Sequence, residues 1–146
     1  MFAIVFAAAT GCGSSKPETA PVAGRVTLEG IPVKTGTVIF YPASGHPAVG
    51  TIQSDGSYRL TTFVKDDGAL LGQHVVTIEA TEIVGGDTPK SFDDEYKGLR
   101  AGELRIILPL EYSDRSSSGL QALVEAKENK IDFALKKTNK NKPPQK

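Results

Sequence analysis

Few side chains in this sequence are equipped for chemistry, and their spacing says as much as their number. There is one cysteine, Cys12, and there are two histidines, His46 and His74. A lone thiol can neither close a disulfide within the chain nor build a cysteine-cluster zinc site. His46 sits in a Ser44-Gly45-His46-Pro47 loop and His74 begins an apolar run. Neither has a carboxylate at ligand spacing beside it, so neither points to metal binding or acid–base work. Ser113, Ser116, Ser117 and Ser118 cluster without the Gly-x-Ser-x-Gly elbow of a nucleophilic serine and read as a turn. Asp66-Asp67 with their loop carbonyls, or Asp93-Asp94-Glu95, offer oxygens to a calcium ion. Both lack the alternating acids of an EF-hand loop and read as solvated charge. The expectation is therefore a chain that is not an enzyme, with no catalytic residue, no cofactor and no metal.

Cys12 draws its meaning from position. It closes the run MFAIVFAAATGC, apolar and uncharged, which shrinks to Ala, Thr and Gly just before the cysteine. Eleven helical residues at about 1.5 Å each reach roughly 16 Å, about half a hydrocarbon core, so the run reads as a leader and not a span. Ala9-Thr10-Gly11-Cys12 resembles a bacterial lipobox, in which the peptide is cut before the cysteine and the cysteine carries lipid. Ala9 stands where Leu is usual, and the missing Lys or Arg ahead of the run places the expected start codon upstream. The resemblance implies a signal peptide over residues 1–11 and lipidation at Cys12. Gly13 in place of Asp implies the outer membrane, facing the periplasm or the outside. Residues 12–21 are small, polar and broken by proline, the composition of a flexible tether.

Charge narrows the partners. All 17 acids lie at or before Asp132, whereas Lys136, Lys137, Lys140, Lys142 and Lys146 follow it. The body thus holds 12 basic against 17 acidic residues, a net of −5 offset by +5 in the tail. A body of that sign is a poor match for phosphate backbones, so nucleic acid is not an expected partner. The basic tail from Lys137, residues 137–146, has no apolar residue to bury and is expected to be disordered.

The elements that position these residues read as strands. Val22, Gly24, Val26 and Leu28 alternate with Ala23, Arg25 and Thr27. Thr37 to Tyr41 is apolar on both faces, as a central strand partly covered on its outer side would be. Val49 to Ser54 and Tyr58 to Phe63 flank Asp55-Gly56, a strong type I′ hairpin signal. His74 to Ala80 forms a further strand. Residues 81–103 show no sustained alternation, apart from a short helix expected over 92–98 with Ser91 as its cap. Leu104, Ile106 and Leu108 resume the alternation. Two last strands turn Leu120, Ala122 and Val124, then Ile131, Phe133 and Leu135, inward. Seven or eight short strands with regular turns predict an all-β, single antiparallel sandwich of Ig-like or prealbumin-like type with Greek-key connections over residues 22–136.

The runs VAGRVTLEGIPVKTGTVIFYP, GTIQSDGSYRLTTF and DDGALLGQHVVTIEA, with the closing LPLEYSDRSSSGLQALVEAKENKIDFAL, resemble the carboxypeptidase regulatory-like, or prealbumin-like, sandwich of small planctomycete lipoproteins. The resemblance implies that Asp55-Gly56 makes a hairpin turn, Tyr58 packs into the core, Gly68 to Gly72 shapes entry to the next strand and Asn129 precedes the last one. It carries no activity with it. The expected role is a non-enzymatic, lipid-anchored cell-envelope module, structural or binding an unknown protein or glycan. The alternatives are a small-ligand carrier working as a transthyretin-like oligomer and a hydrolase of the prealbumin-like fold.

Overall fold

A computed structural model describes residues 17–85 and 103–137. Cys12, the tether up to Lys16, the segment 86–102 with its expected helix and the tail from Thr138 lie outside the described residues. The fold is an all-β sandwich. The described residues form β1 (Thr19–Ala20), β2 (Val22–Leu28), β3 (Ile31–Pro32), β4 (Thr37–Pro42), β5 (Ala48–Thr51), β6 (Ser57–Arg59), β7 (Ala69–Leu70), β8 (Gly72–Glu79), β9 (Thr81–Val84), β10 (Glu103–Ile106), β11 (Leu120–Val124), β12 (Asn129–Lys130) and β13 (Phe133–Leu135). The only helical piece among them is a 3₁₀ turn at Leu110–Ser113.

One sheet is regular. Its order is β11-β8-β4-β5, every pairing antiparallel, with Phe40 set between Val76 and Ala48. The other is built around β2, which pairs on one side with β6 and the short β3 and on the other with β12 and β13. The β12 and β13 pairings are parallel, a departure from the all-antiparallel expectation. They are parallel because the last strand re-enters beside β2 after crossing from β11 in the opposite sheet. The strand number exceeds the expected seven or eight because β1, β3, β7 and β12 are two-residue pairings and β9 pairs with β10.

Alternation sets the core. Val38 and Phe40 from β4, Val76 and Ile78 from β8, and Ala122 and Val124 from β11 face Val22 and Val26 from β2, Tyr58 from β6, and Phe133 and Leu135 from β13. The Phe40 ring meets Phe133 edge-on at 6.0 Å, joining the layers. The fold also starts three residues before the expected boundary. β1 pairs with β7 and buries Ala20, and a Cβ on Gly68 would lie 1.7 Å from the Ala20 carbonyl oxygen. Outside β4, Ile39 and Tyr41 are half-buried, and the Arg115 guanidinium sits 4.3 Å from the Tyr41 ring centre, the outer cover expected for a strand apolar on both faces.

The type I′ turn lies at Glu29-Gly30 and not at the expected Asp55-Gly56. Glu29 and Gly30 both have positive φ (50° and 81°) and connect paired Leu28 and Ile31, so they form the two-residue type I′ hairpin. At Asp55-Gly56 only Gly56 has positive φ, 84°. The Gly56 N–H donates to the Gln53 carbonyl at 2.8 Å, and the Gln53 N–H to the Ser57 carbonyl at 2.8 Å, a type I turn closed by a glycine bulge. The Asp55 carboxylate accepts from the Ser57 amide and hydroxyl, which holds the aspartate in an ordinary conformation.

The segment 81–103, expected to be irregular, contains a strand, β9, whose partner β10 lies almost wholly on the strand expected from Leu104. β9 and β10 form an antiparallel ribbon, Thr81 opposite Ile106. Leu108 is buried while Ile106 is exposed, because the strand ends at Ile106 and the alternation breaks there.

Candidate functional site

A trough of about 650 Å³ lies on the outer face of the β2 sheet. Its position follows from register. β12, β2 and β6 lie side by side, so Lys130, Ala23 and Arg59 form one row and Asp132, Arg25 and Ser57 sit beside the next position along. Ala23 is the small middle residue of the first row, and the long side chains on either side make walls about 10 Å apart, two strand spacings. Arg25 lies 3.8 Å from Asp55, and both are exposed. No ion pair to Arg59 or Lys130 occurs among the described residues, and both are exposed.

The floor is where side chains replace the ladder. Position 24 falls on the inward face, between Val22 and Val26. A Cβ there would stand 1.7 Å from the Ile131 carbonyl oxygen, so only glycine allows the last strand this close. The Ile131 carbonyl accepts from the buried Tyr58 hydroxyl at 2.6 Å. The Arg25 N–H donates to Asp132 Oδ1 at 2.8 Å, a side chain standing in for a strand carbonyl. Burial pushes the Tyr58 phenol well above its ordinary pKa, with the Asp132 charge acting the same way, so it is a neutral donor. Asn129 is buried as well. Its Nδ2 donates to the carbonyls of Lys127 (2.6 Å), Glu125 (3.0 Å) and Pro21 (3.3 Å), while Oδ1 accepts from the Glu125 N–H at 3.1 Å.

The other chemistry-bearing residues are scattered. His74 is 1% exposed and belongs to the core: its Nε2–H donates to the Leu70 carbonyl at 2.8 Å, its ring packs 5.7 Å from Phe40, and Nδ1 is buried without a partner. His46 is exposed and meets Phe63 edge-on at 5.5 Å. The two rings thus occupy different environments and share no ring neighbour.

Asp67 is a loop organiser. Its carboxylate accepts from the amides of Thr62 (2.7 Å), Phe63 (3.0 Å) and Val64 (3.1 Å), which ties the 62–67 loop together. The serine cluster is a turn, as expected. Ser116 donates to Asp114 through amide and hydroxyl, which holds the Asp114 pKa below its ordinary value, and Ser117 donates to the Glu111 carbonyl at 2.8 Å. Asp93-Asp94-Glu95 and Cys12 fall outside the described residues. Among the described residues no three His, Cys, Asp or Glu side chains gather as metal ligands.

Comparison with known proteins gives no family. No family model, no curated protein and no solved structure matches the chain. No helix among the described residues is long and apolar enough to cross a membrane.

Sequence reading identified Asn129 and Tyr58 as fold-determining but missed Gly24 and Asp132. Gly24 carried a readable signal: a glycine at an inward position among Val22, Val26 and Leu28 marks close backbone approach. Asp132 carried none, because a single acid in an exposed position looks like any other.

Proposed function

We propose that this chain is a non-enzymatic, lipid-anchored module of the bacterial cell envelope that meets a protein or glycan through the trough on its β2 sheet. The observation that carries this reading is the division of labour in the trough. Its inner polar side chains, Tyr58, Asn129 and Asp132, are engaged with the backbone that shapes it. The long side chains at its rim, Arg59 and Lys130, point to solvent from rigid strands. Such a surface is suited to recognition: polar contacts at the rim, a small Ala23 floor that admits a partner and no reorganisation on binding. Anchoring through Cys12 draws support from the sequence, where an apolar run too short to span precedes the cysteine and a polar tether comes after it. The family proposal, a carboxypeptidase regulatory-like or prealbumin-like sandwich, fits the two-sheet architecture.

Two experiments test the proposal. Metabolic labelling with a fatty-acid analogue should mark the wild-type protein and leave Cys12→Ser unmarked; an unlabelled wild-type protein of unprocessed mass would overturn the anchor. A photo-crosslinking side chain at Ala23 should capture one discrete species in intact cells. Capture no greater than from the exposed turn residue Ser116 would overturn the trough as the contact surface.

A further inference from the structure

Two apolar hollows meet at one exposed leucine. Leu110 is 65% exposed and Ile106 51%. Both line a hollow of about 570 Å³ bounded by Pro109, Glu111 and Lys137, and both line a narrower one of about 180 Å³ walled by Ile78, Ala80 and Thr81. Ile31 (67% exposed), Val64 (57%) and Leu123 (57%) border neither hollow, and exposure alone calls for no partner. What sets Leu110 apart is an exposed aliphatic side chain with apolar space on both sides of it.

The chain makes this feature because the alternation of β10 breaks after Ile106. The Ile107 N–H donates to the Ala80 carbonyl at 2.9 Å, Leu108 turns into the core, and Pro109 opens the 3₁₀ turn that leaves Leu110 outside. Two bonds hold that turn: the Tyr112 N–H to the Pro109 carbonyl at 3.1 Å and the Ser113 hydroxyl to the Leu110 carbonyl at 2.7 Å. The Tyr112 hydroxyl donates to the Lys136 carbonyl at 3.1 Å, which brings Lys137 to the rim. Leu110 is thus presented from a fixed backbone, and seating it elsewhere costs little ordering.

Charge selects the occupant. The charged residues lining the two hollows are Glu79, Glu111 and Lys137, so the rim carries both signs. A mixed rim gives no net attraction to an anionic bilayer or a polyanion, whereas a twofold axis can set each sign against its opposite. The shape is self-complementary as well. A contact between like surfaces needs a projection and a recess on the same patch, because whatever one copy inserts the other must receive. We propose that this surface pairs two copies of the chain about a twofold axis. Leu110 of each copy enters the larger hollow of the other, beside Ile106 and Pro109, and Glu111 faces Lys137 across the interface. The surface shares no lining residue with the trough on the β2 sheet, so the inference stands apart from the reading above.

Sedimentation velocity of the full-length Cys12→Ser protein over a range of concentrations tests it. That substitution removes the one thiol of the chain, and the apolar leader is common to every variant. We expect a reversible monomer–dimer equilibrium. Leu110→Asp should weaken it by about tenfold or more while keeping the circular dichroism spectrum. Glu111→Lys and Lys137→Glu should each weaken it by about threefold, and the two combined should recover the wild-type constant. Leu123→Asp, an equally polar change on an exposed leucine that borders neither hollow, should leave it unchanged. A monomer at every concentration, a dimer that Leu110→Asp leaves intact, a dimer that Leu123→Asp weakens as much, or charge reversals that fail to rescue each other would overturn the pairing.

Discussion

The two sheets of this sandwich are held in different ways. In the β11-β8-β4-β5 sheet the backbone ladder makes every pairing, and side-chain bonds such as Gln73 to Gln121 only add to it. In the β2 sheet the ladder is broken at Ile131-Asp132 and repaired by a phenol and a carboxylate, while a carboxamide holds the turn ahead of it. A sheet held by its own backbone has nothing to show a partner except side-chain tips. A sheet repaired by side chains carries polar groups among its strands, and here Tyr58 and Asp132 line the trough.

The sharpest way to break the second sheet alone is Gly24→Ala. The new Cβ would meet the Ile131 carbonyl, and we expect a loss of about 3 kcal/mol or more in urea denaturation. Gly119→Ala, on the approach to β11, should cost only about 1 kcal/mol: its φ of 62° is strained for alanine, but nothing lies within 4 Å of its Cβ. Similar losses from both would erase the contrast. Tyr58→Phe comes next, at about 1–2 kcal/mol, because it leaves the Ile131 carbonyl without its hydroxyl donor.

The smallest effect concerns pH. Ser57 hydrogen bonds, with a lesser part from Arg25, hold the Asp55 carboxyl below its ordinary value of 3.8. The unfolded chain therefore binds the proton more readily, so this contribution is present above about pH 4 and fades as pH falls through the depressed folded value. Ser57→Ala should return the Asp55 titration, followed by carboxyl NMR, toward the ordinary value.

The same contrast explains what the sequence made legible. The first sheet could be read almost residue by residue, because alternation alone places Val38, Phe40, Val76, Ile78, Ala122 and Val124 inward. The sandwich class came from the number of such runs and the turns between them. The parallel last strand was not legible, since alternation gives the face of a strand and never its partner. The type I′ expectation at Asp55-Gly56 failed for a local reason: the Asp55 carboxylate bound to Ser57 holds that aspartate in an ordinary conformation, whereas Glu29 ahead of Gly30 takes the positive φ. β9 escaped notice because Thr81–Val84 is too short to establish a period. The trough was invisible at sequence level, as it is assembled from Arg25, Arg59 and Lys130, three basic residues on three separated strands.

Neighbours on β12 give the most direct test of the central claim, that the trough's inner polar groups build the fold and its rim meets the partner. Asn129→Ala and Lys130→Ala should each be measured twice, for denaturation midpoint and for capture by a photo-crosslinker at Ala23. Asn129→Ala should lose about 2 kcal/mol of stability, because the Lys127 carbonyl and the Glu125 N–H lose their partner, while the Pro21 and Glu125 carbonyls keep only the backbone N–H groups of Asn129 and Lys127. Lys130→Ala should leave stability within about 0.5 kcal/mol and reduce capture. A stable Asn129→Ala protein that no longer captures, or a Lys130→Ala protein that captures as before, would contradict the account.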